Sequence, residues 1–273
     1  QQLKDPASPI YGCDAFWNTF WNLNQLWALA TPDIMNKWVE SLLEYYRVGG
    51  WLPNGPPGVE YCDIMGAQHE IPLMVSAYQK GIRNYDVDKA YEAVKKTLTT
   101  QGTALSSGGI VGNRHLDVYL KYGFVPYGEK SHHNVFGTTY EGPTSNTLEY
   151  AFDDWNAAQF AKALGYEEDY DYFTRRAYNY KNVFDSETKY VRPKYSDGTW
   201  MPDFEPINKD EHSTSWSWLG SGFVEGNSWQ YTWIVTGLLA VLGVIVLILA
   251  LQVHKYANTD PKKRPHSFIN PTI

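Results

Sequence analysis

Residues 162–181 read KALGYEEDYDYFTRRAYNYK, and residues 80–96 read KGIRNYDVDKAYEAVKK. In each stretch one helical pattern ends, a short turn with glycine follows, and the next helical pattern opens with acidic residues, which favour a helix N-terminus. The two stretches form a weak internal repeat of antiparallel helix pairs. Because stacked helix pairs build bundles, solenoids or α/α toroids, the sequence predicts a mainly α-helical domain.

Further helices are predicted on both sides of this repeat. Thr31, Pro32 and Asp33 make a strong helix start, and the helix that follows stops at the glycines 49–50. Asp86 is expected to cap a later helix. The other predicted segments are helices at 14–30, 70–80, 86–98, 147–164 and 167–182, a loop at 101–110 and a β-like excursion at 184–200.

The C-terminal part contains an aliphatic run, WIVTGLLAVLGVIVLILAL at 233–251. As a helix, these residues would extend about 28 Å, close to the hydrocarbon thickness of a bilayer. Lys262, Lys263 and Arg264 follow the run. The sequence therefore predicts a single-pass membrane protein with a large domain at 1–232 outside the cell or in a lumen, a span at 233–253 and a short cytoplasmic tail at 254–273. A buried core helix is the alternative interpretation of the run.

The overall composition limits the function classes. The formal net charge of −7 and the lack of a basic patch argue against a nucleic-acid partner. Cys13 and Cys62 are the only cysteines, and they fit one disulfide or two free thiols equally well. The opening residues, QQLKDPASPIYG, lack a signal-peptide pattern and an initiator Met, and we interpret them as a processed or incomplete start.

One strip combines the residue types of a carbohydrate site. EGNSWQY at 225–231 holds a carboxylate, two amides and two aromatic rings. Aromatic faces accept the apolar faces of sugar rings, and amides pair with hydroxyls. If Glu225 is shielded from water, its carboxyl stays protonated and can act as a general acid. The alternative is that most of these rings belong to a packed core.

Other strips offer candidate site residues with structural alternatives. Asp14 shares a helix face with Trp17 and Trp21, which suits either a sugar-binding wall or a capped core helix. Glu70 follows a Gly/Pro-rich loop and is either a cleft residue or a helix cap. The helix at 147–155 crowds Glu149, Asp153 and Asp154, which repel one another unless a ligand relieves them or the face is solvated. GNRHL at 112–116 places an Arg and a His in a predicted loop.

Taken together, these strips resemble glycoside hydrolase family 92, whose characterised members are α-mannosidases. The likeness covers about residues 10–233, in family order. The strips that carry it are DAFWNTFWNLNQLW (14–27), GWLPNGPPG (50–58), HEIPLMVSAYQKGI (69–82), GNRHLDVYLKYGFVPY (112–127), NTLEYAFDDWNAAQFAKALG (146–165) and FVEGNSWQYTW (223–233).

The resemblance implies a fold and a reaction. The fold is an incomplete (α/α)6 toroid, followed here by one transmembrane helix. The reaction is calcium-dependent, inverting hydrolysis of α-linked mannose in a mannose-containing glycan, with Ca²⁺ as cofactor. Inversion requires a general acid and a general base on opposite sides of the sugar. By the resemblance Glu225 is the acid, and Asp14, Trp17, Glu70 and Asp154 are substrate contacts.

The chain also departs from the family pattern. Many members carry W-D-T-F-R where this chain reads WNTFW at 17–21. Because this chain lacks the Asp and the Arg of that pattern, we do not expect the family's usual sugar or linkage preference to carry over. The strips that hold the general base and most calcium ligands in the family follow the position of Trp233, where this chain turns aliphatic. We therefore expect little hydrolysis from this polypeptide alone. Three interpretations stay open: an enzyme complete in a longer transcript, a membrane-tethered, non-catalytic glycan-binding remnant, and an artefact of gene modelling.

Overall fold

The computed structural model describes residues 10–11, 16, 19–53, 67–104, 110–129, 142–207, 222–224 and 226–233. The chain divides into two compact units, Gln1–Trp229 and Gln230–Ile273. Of the second unit only residues 230–233 are described, and they are helical. The account that follows concerns the first unit.

The described part of the first unit is mainly α-helical, as the sequence predicts. Its α-helices are α1 (Leu23–Ala30), α2 (Pro32–Gly49), α3 (Glu70–Gln79), α4 (Val87–Thr99), α5 (Leu116–Tyr122), α6 (Pro143–Leu164) and α7 (Glu167–Ala177). Short 3-10 helices cover Thr19–Trp21 and Tyr178–Val183. Two antiparallel hairpins pair β1 (Thr103–Ala104) with β2 (Ile110–Val111) and β3 (Phe184–Asp185) with β4 (Tyr190–Val191).

Local sequence signals explain most helix ends. Asp86 accepts a hydrogen bond from the Lys89 backbone N–H at 2.9 Å, so the predicted cap of α4 is confirmed. Pro32 stands in the first turn of α2, which ends where Gly50 adopts a left-handed φ of 79°. The predicted excursion at 184–200 is confirmed by the β3–β4 hairpin and by a bridge between Lys194 and Trp200.

Two predicted helices were wrong in extent, and one helix was not predicted. Helix α6 begins at Pro143, four residues before the predicted start, because the proline stands in its first turn after a left-handed Gly142. Helix α5 was not predicted, and it starts at the last residue of the predicted loop at 112–116. The predicted helix at 14–30 reduces, in its described part, to a 3-10 turn at Thr19–Trp21 followed by α1.

Helix α6 lies at the centre of the packing. It packs against α3, α4 and α7, and most of its residues are buried on both faces. Helix α3 is also buried nearly all round, including Ile71, Leu73 and Met74. Together with apolar side chains of α2 and α4, α3 and the C-terminal half of α6 form one hydrophobic core.

The predicted membrane span cannot be compared with this architecture. Among the helices of the described residues, none combines the length and the apolar character needed to cross a bilayer. The aliphatic run beyond residue 233 lies outside the described residues. The span at 233–253 and the tail at 254–273 therefore stay predictions.

Candidate active site: a buried polar region at the N-termini of α3 and α6

The structure describes two of the five predicted site residues. Glu70 is the first residue of α3, and Asp154 lies in the middle of α6. Asp14, Trp17 and Glu225 lie outside the described residues, although their neighbours Phe16, Val224 and Gly226 are described. The site is accordingly built from the turns that surround these positions.

The turn before α3 is tied to α6 by a hydrogen bond. The Gln68 backbone N–H donates to Asp153 Oδ2 at 2.9 Å, and both residues are fully buried. Gln68, His69 and Glu70 retain at most 4% of their surface exposure. A helix start this deeply buried needs a polar partner for its N–H groups, and the Asp153 carboxyl supplies one. The contact fixes the entrance of α3 against α6.

Burial shifts the protonation of this region toward neutral forms. It raises the pKa of the Glu70 carboxyl well above its ordinary value, and the nearby Asp153 raises it further. It also raises the pKa of Asp153, to which the carboxylates of Glu149 and Asp154 add. Burial lowers the pKa of the His69 imidazole to about 3. Carboxylic acids and a neutral imidazole both give and accept hydrogen bonds, which suits hydroxyl ligands.

Aromatic rings border this polar region. His69 Nε2 lies 4.0 Å from Glu149 Oε2, and the Phe20 ring meets the His69 ring edge-on with centroids 5.3 Å apart. Phe20 also contacts Phe152, whose ring lies nearly parallel to that of the half-exposed Trp155. A carboxylate, an imidazole and rings at one surface are the groups that bind a sugar's hydroxyls and apolar face.

The Asp154 carboxylate is bound by two other side chains of the protein, those of Arg176 and Tyr119. Its Oδ1 lies 2.7 Å from Arg176 Nη2, and its Oδ2 accepts hydrogen bonds from Arg176 Nε at 3.1 Å and from the Tyr119 hydroxyl at 2.9 Å. Burial raises the pKa of the Asp154 carboxyl, while the guanidinium opposes that rise. These contacts join α5, α6 and α7, so Asp154 has a structural role. Its predicted contact with substrate stays a prediction.

The strip around position 225 is fixed on both sides. Ser145 Oγ accepts a hydrogen bond from the Val224 N–H at 3.0 Å and donates to Gly142 O at 2.7 Å. The Thr144 N–H donates to Gly222 O at 2.9 Å. Beyond position 225, the Ser228 hydroxyl donates to Val191 O. The segment before Glu225 is thereby held at the N-terminus of α6, and the segment after it is held against β4.

Sequence reasoning missed Ser145 as a positioning residue. A serine in the first turn of a helix normally caps that helix, and here its hydroxyl also serves a backbone group 79 residues away. The only available signal was a hydroxyl-rich helix start, PTSNT at 143–147. Such a start is ordinary, so the long-range contact could not be predicted.

The residues described here do not make up a complete metal site. In the described ranges no three side chains of His, Cys, Asp or Glu converge in a way that could hold a metal ion. Glu70 and Asp153 are buried in a setting that favours their protonated forms, and protonated carboxyls are poor Ca²⁺ ligands. These residues therefore do not fit the expected calcium site by themselves.

Comparison with known proteins identifies the family of this chain. The glycosyl hydrolase family 92 catalytic domain matches residues 1–243. The chain belongs to glycoside hydrolase family 92. The matched range contains all five predicted site residues and runs into the first part of the aliphatic stretch at 233–251. No curated protein matches the chain.

Solved structures of family 92 enzymes share this fold. The inverting mannosidase BT2199 of Bacteroides thetaiotaomicron has a TM-score of 0.69 and 29% identity over 82% of this chain. The α-mannosidase BT3965 of the same organism, in complex with mannoimidazole, has a TM-score of 0.66 and 30% identity over 80% of this chain. This chain spans 27% and 26% of the lengths of those two proteins.

Proposed function

We propose that this chain forms a mannose-binding wall and supplies the proton donor of a glycosidase that hydrolyses α-linked mannose. The observation that carries the proposal is the hydrogen bond from the Val224 N–H to Ser145 in the first turn of α6, the helix that also carries Asp153 of the buried polar region. On this basis we propose that Glu225, the residue after Val224, acts at that region, which aromatic rings border. Family membership and similarity to a mannosidase that binds mannoimidazole support the same conclusion.

In this proposal Glu225 is the general acid. Its protonated carboxyl gives a proton to the oxygen of the leaving sugar while the bond from that oxygen to the mannose anomeric carbon breaks. Water attacks the opposite face of the ring, so the product configuration is inverted, as in the inverting mannosidase BT2199. By the family resemblance, the general base comes from a part of the domain that follows Trp233. Asp14, Trp17, Glu70 and Asp154 are proposed to line the cleft.

Calcium dependence is part of the proposal by family resemblance. Oxygen-rich ligands suit Ca²⁺, which takes six to eight of them. Since the described residues do not converge on such a site, we propose that the ligands lie elsewhere in the domain, with Gln230 as an outer contributor.

The experiment combines binding with turnover. The chain by itself is titrated with mannoimidazole. It is incubated with α-1,2-linked mannobiose, with calcium or with a chelator, within an assembled catalytic domain that supplies the general base. Mannose release that is lost in Glu225→Gln and retained in the surface variant Glu205→Gln supports the enzyme. A mannosidase that keeps its rate in Glu225→Gln contradicts the assigned acid.

A non-catalytic, glycan-binding protein is the second candidate. The half-exposed Trp155 beside Phe152 favours it, because an aromatic platform binds sugar without any chemistry. Mannoimidazole binding without mannose release from the assembled domain would favour this candidate. Absence of both binding and release would contradict both proposals.

We also propose that residues 233–253 cross a membrane once and leave the large domain outside or in a lumen. The run is uncharged and long enough, and the basic residues follow it. Resistance of the full chain to alkaline extraction from membranes, together with release of a chain truncated after Trp233, is the expected result. Extraction of the full chain at alkaline pH would contradict the span.

A further inference from the structure

Helix α1 leaves an apolar face uncovered. Leu23, Leu26 and Leu29 keep 39%, 55% and 84% of their exposure, and the value of Leu29 is the highest among the large apolar side chains of the described residues. Because successive leucines are three positions apart, they lie on one side of the helix. Ala30, which is also exposed, continues that side. These four residues form what we call the leucine face.

The opposite side of α1 is attached to the rest of the fold. The helix packs against α2 and α3, and the Trp27 ring lies against the Trp38 ring with centroids 4.3 Å apart. A surface helix normally presents charged or polar residues to water, whereas a helix that is largely apolar all round is buried in the complete protein. The leucine face therefore calls for a segment that covers it.

The leucine face is uncharged, and so is the sequence around it. Residues 15–32 contain no Asp, Glu, Lys or Arg, although the chain carries a formal net charge of −7. A charged group placed on this face would lose its hydration without gaining a counter-charge. Helices that lie on a bilayer surface carry Lys or Arg beside their apolar face, and α1 has neither. The face thus fits an uncharged, apolar protein helix better than a lipid surface.

The leucine face begins at the edge of the candidate active site. Phe20 stands three residues before Leu23, and its ring contacts those of His69 and Phe152 at centroid distances of 5.3 and 4.4 Å. Gln25 Nε2 donates to Phe20 O at 3.0 Å, which ties the first turn of α1 to that position. A segment that covers α1 therefore lies next to the aromatic border of the site.

Most of each related mannosidase lies outside the region that this chain matches. That region makes up 27% of BT2199 and 26% of BT3965. In the proposed function the general base comes from a part of the domain that follows Trp233, and it must reach the sugar on the side opposite to the general acid. Such a part needs a contact surface at the edge of the site. A second copy of this chain would cover the leucine face without bringing a general base.

We infer that the leucine face is the docking surface for an uncharged, apolar helix from the part of a family 92 catalytic domain that carries the general base. The inference rests on the proposed function, which supplies that part. Docking removes the exposed surface of Leu26 and Leu29 from water, and this burial drives the association.

The test measures how fast a thiol at position 29 reacts. The full chain with Leu29→Cys is treated with a maleimide, by itself and after mixing with the part of BT3965 that corresponds to the sequence after Trp233. Mass spectrometry of the peptide that contains residue 29 separates this thiol from Cys13 and Cys62. We expect fast labelling in the chain by itself and labelling about tenfold or more slower in the mixture, because a covered thiol reacts only when the contact opens.

Two further variants sharpen the test. Glu168→Cys is the matched control, because Glu168 is exposed on α7 and its thiol should react equally fast in both samples. Leu26→Asp places a charge on the leucine face at a half-exposed position. Calorimetry should show that it weakens association with the BT3965 part about tenfold or more, while the urea midpoint of the chain by itself stays the same.

The other labelling patterns overturn the inference. Equal rates at position 29 in both samples mean that the general-base part does not cover α1. Protection in the chain by itself that grows with its concentration identifies a second copy as the cover. Protection that is independent of concentration identifies another segment of the same chain.

Turnover separates this inference from the proposed function. If the mixture hydrolyses α-1,2-linked mannobiose while the thiol at position 29 stays reactive, the docking assignment fails and the proposed enzyme stands. If position 29 is protected and no mannose is released, the docking assignment stands and the proposed enzyme fails.

Discussion

Arg176 holds Asp154 with both edges of its guanidinium, Nη2 lying 2.7 Å from Oδ1 and Nε 3.1 Å from Oδ2. Both side chains are buried, and Arg176 Nη1 also donates to Leu98 O at 2.8 Å. The pair therefore connects α6, α7 and the end of α4 in the core. The contribution of this pair to the free energy of unfolding is best measured by removing one partner, which leaves the other charge buried.

Asp154→Asn is expected to lower the free energy of unfolding by roughly 3–5 kcal/mol, as for other buried pairs deprived of one charge. Urea denaturation is the measurement. The control is Lys89→Met, which breaks the exposed Lys89–Glu92 pair and should leave stability nearly unchanged. The double replacement Asp154→Leu with Arg176→Met should recover much of the loss. Equal effects of Asp154→Asn and Lys89→Met would contradict the prediction.

Glu70→Gln is expected to stabilise the protein at neutral pH and not in acid. The folded-state pKa of Glu70 lies well above that of the unfolded chain, so burial penalises the ionised form. Below about pH 4.5 both states are protonated and no penalty exists, whereas the penalty grows as pH rises toward the folded-state pKa. Urea unfolding at pH 4 and pH 7.5 should show the gain only at pH 7.5, by more than about 1 kcal/mol.

The surface variant Glu40→Gln serves as the control for that series. Glu40 is exposed on α2, so its replacement should shift stability little at either pH. A gain in Glu70→Gln that is equal at both pH values would show that burial of the carboxylate is not its cause.

Ser145→Ala should loosen the strip that leads to Glu225. The variant removes the acceptor of the Val224 N–H and the donor to Gly142 O, while the contact from Thr144 to Gly222 stays. Hydrogen–deuterium exchange of the Val224 amide is expected to accelerate about tenfold, equivalent to one modest hydrogen bond. Ser145→Thr keeps a hydroxyl and should restore slow exchange. Unchanged exchange in the alanine variant would contradict the contact.

Lys96→Met should detach the loop that follows α2. Lys96 Nζ donates to Gly50 O at 2.6 Å and lies 4.6 Å from the centre of the Trp51 ring. Methionine keeps the apolar stem and removes both contacts, at an expected cost of about 1–2 kcal/mol. Urea unfolding followed by tryptophan fluorescence measures it. Lys89→Met, which breaks an exposed pair with Glu92, is the control and should have no measurable effect.

Much of the fold could be predicted from local sequence signals such as helix caps. Asp86 caps α4 as expected, because a cap bonds within its own helix turn and is visible in sequence. The start of α5 was missed because its first N–H groups are served by Gln101, which lies 16 residues before the Asp117 N–H it accepts. A helix start that depends on a distant side chain leaves no local signature.

The candidate site was harder to predict than the helices, because its contacts also join residues that lie far apart in the sequence. The sequence identified Glu70 as a candidate, and the structure places it in a buried polar region, although its contact with substrate stays a prediction. Asp154 looked like a cleft residue because it stands among carboxylates and rings. Its partner Arg176 lies 22 residues on, within a stretch that showed only helix periodicity. Pairing between helices is decided by packing, which single-sequence patterns do not reveal.

Gly142 constrains the strip that leads to position 225, 83 residues downstream, where the general acid is proposed. Its φ is +33°, and a β-carbon there would collide with Val224 Cγ2 and with Ser145 Oγ. Any larger residue would therefore displace Val224 and weaken the hydrogen bond that ties this strip to α6. A library randomised at this codon and screened for glycan turnover by the assembled catalytic domain should return glycine alone.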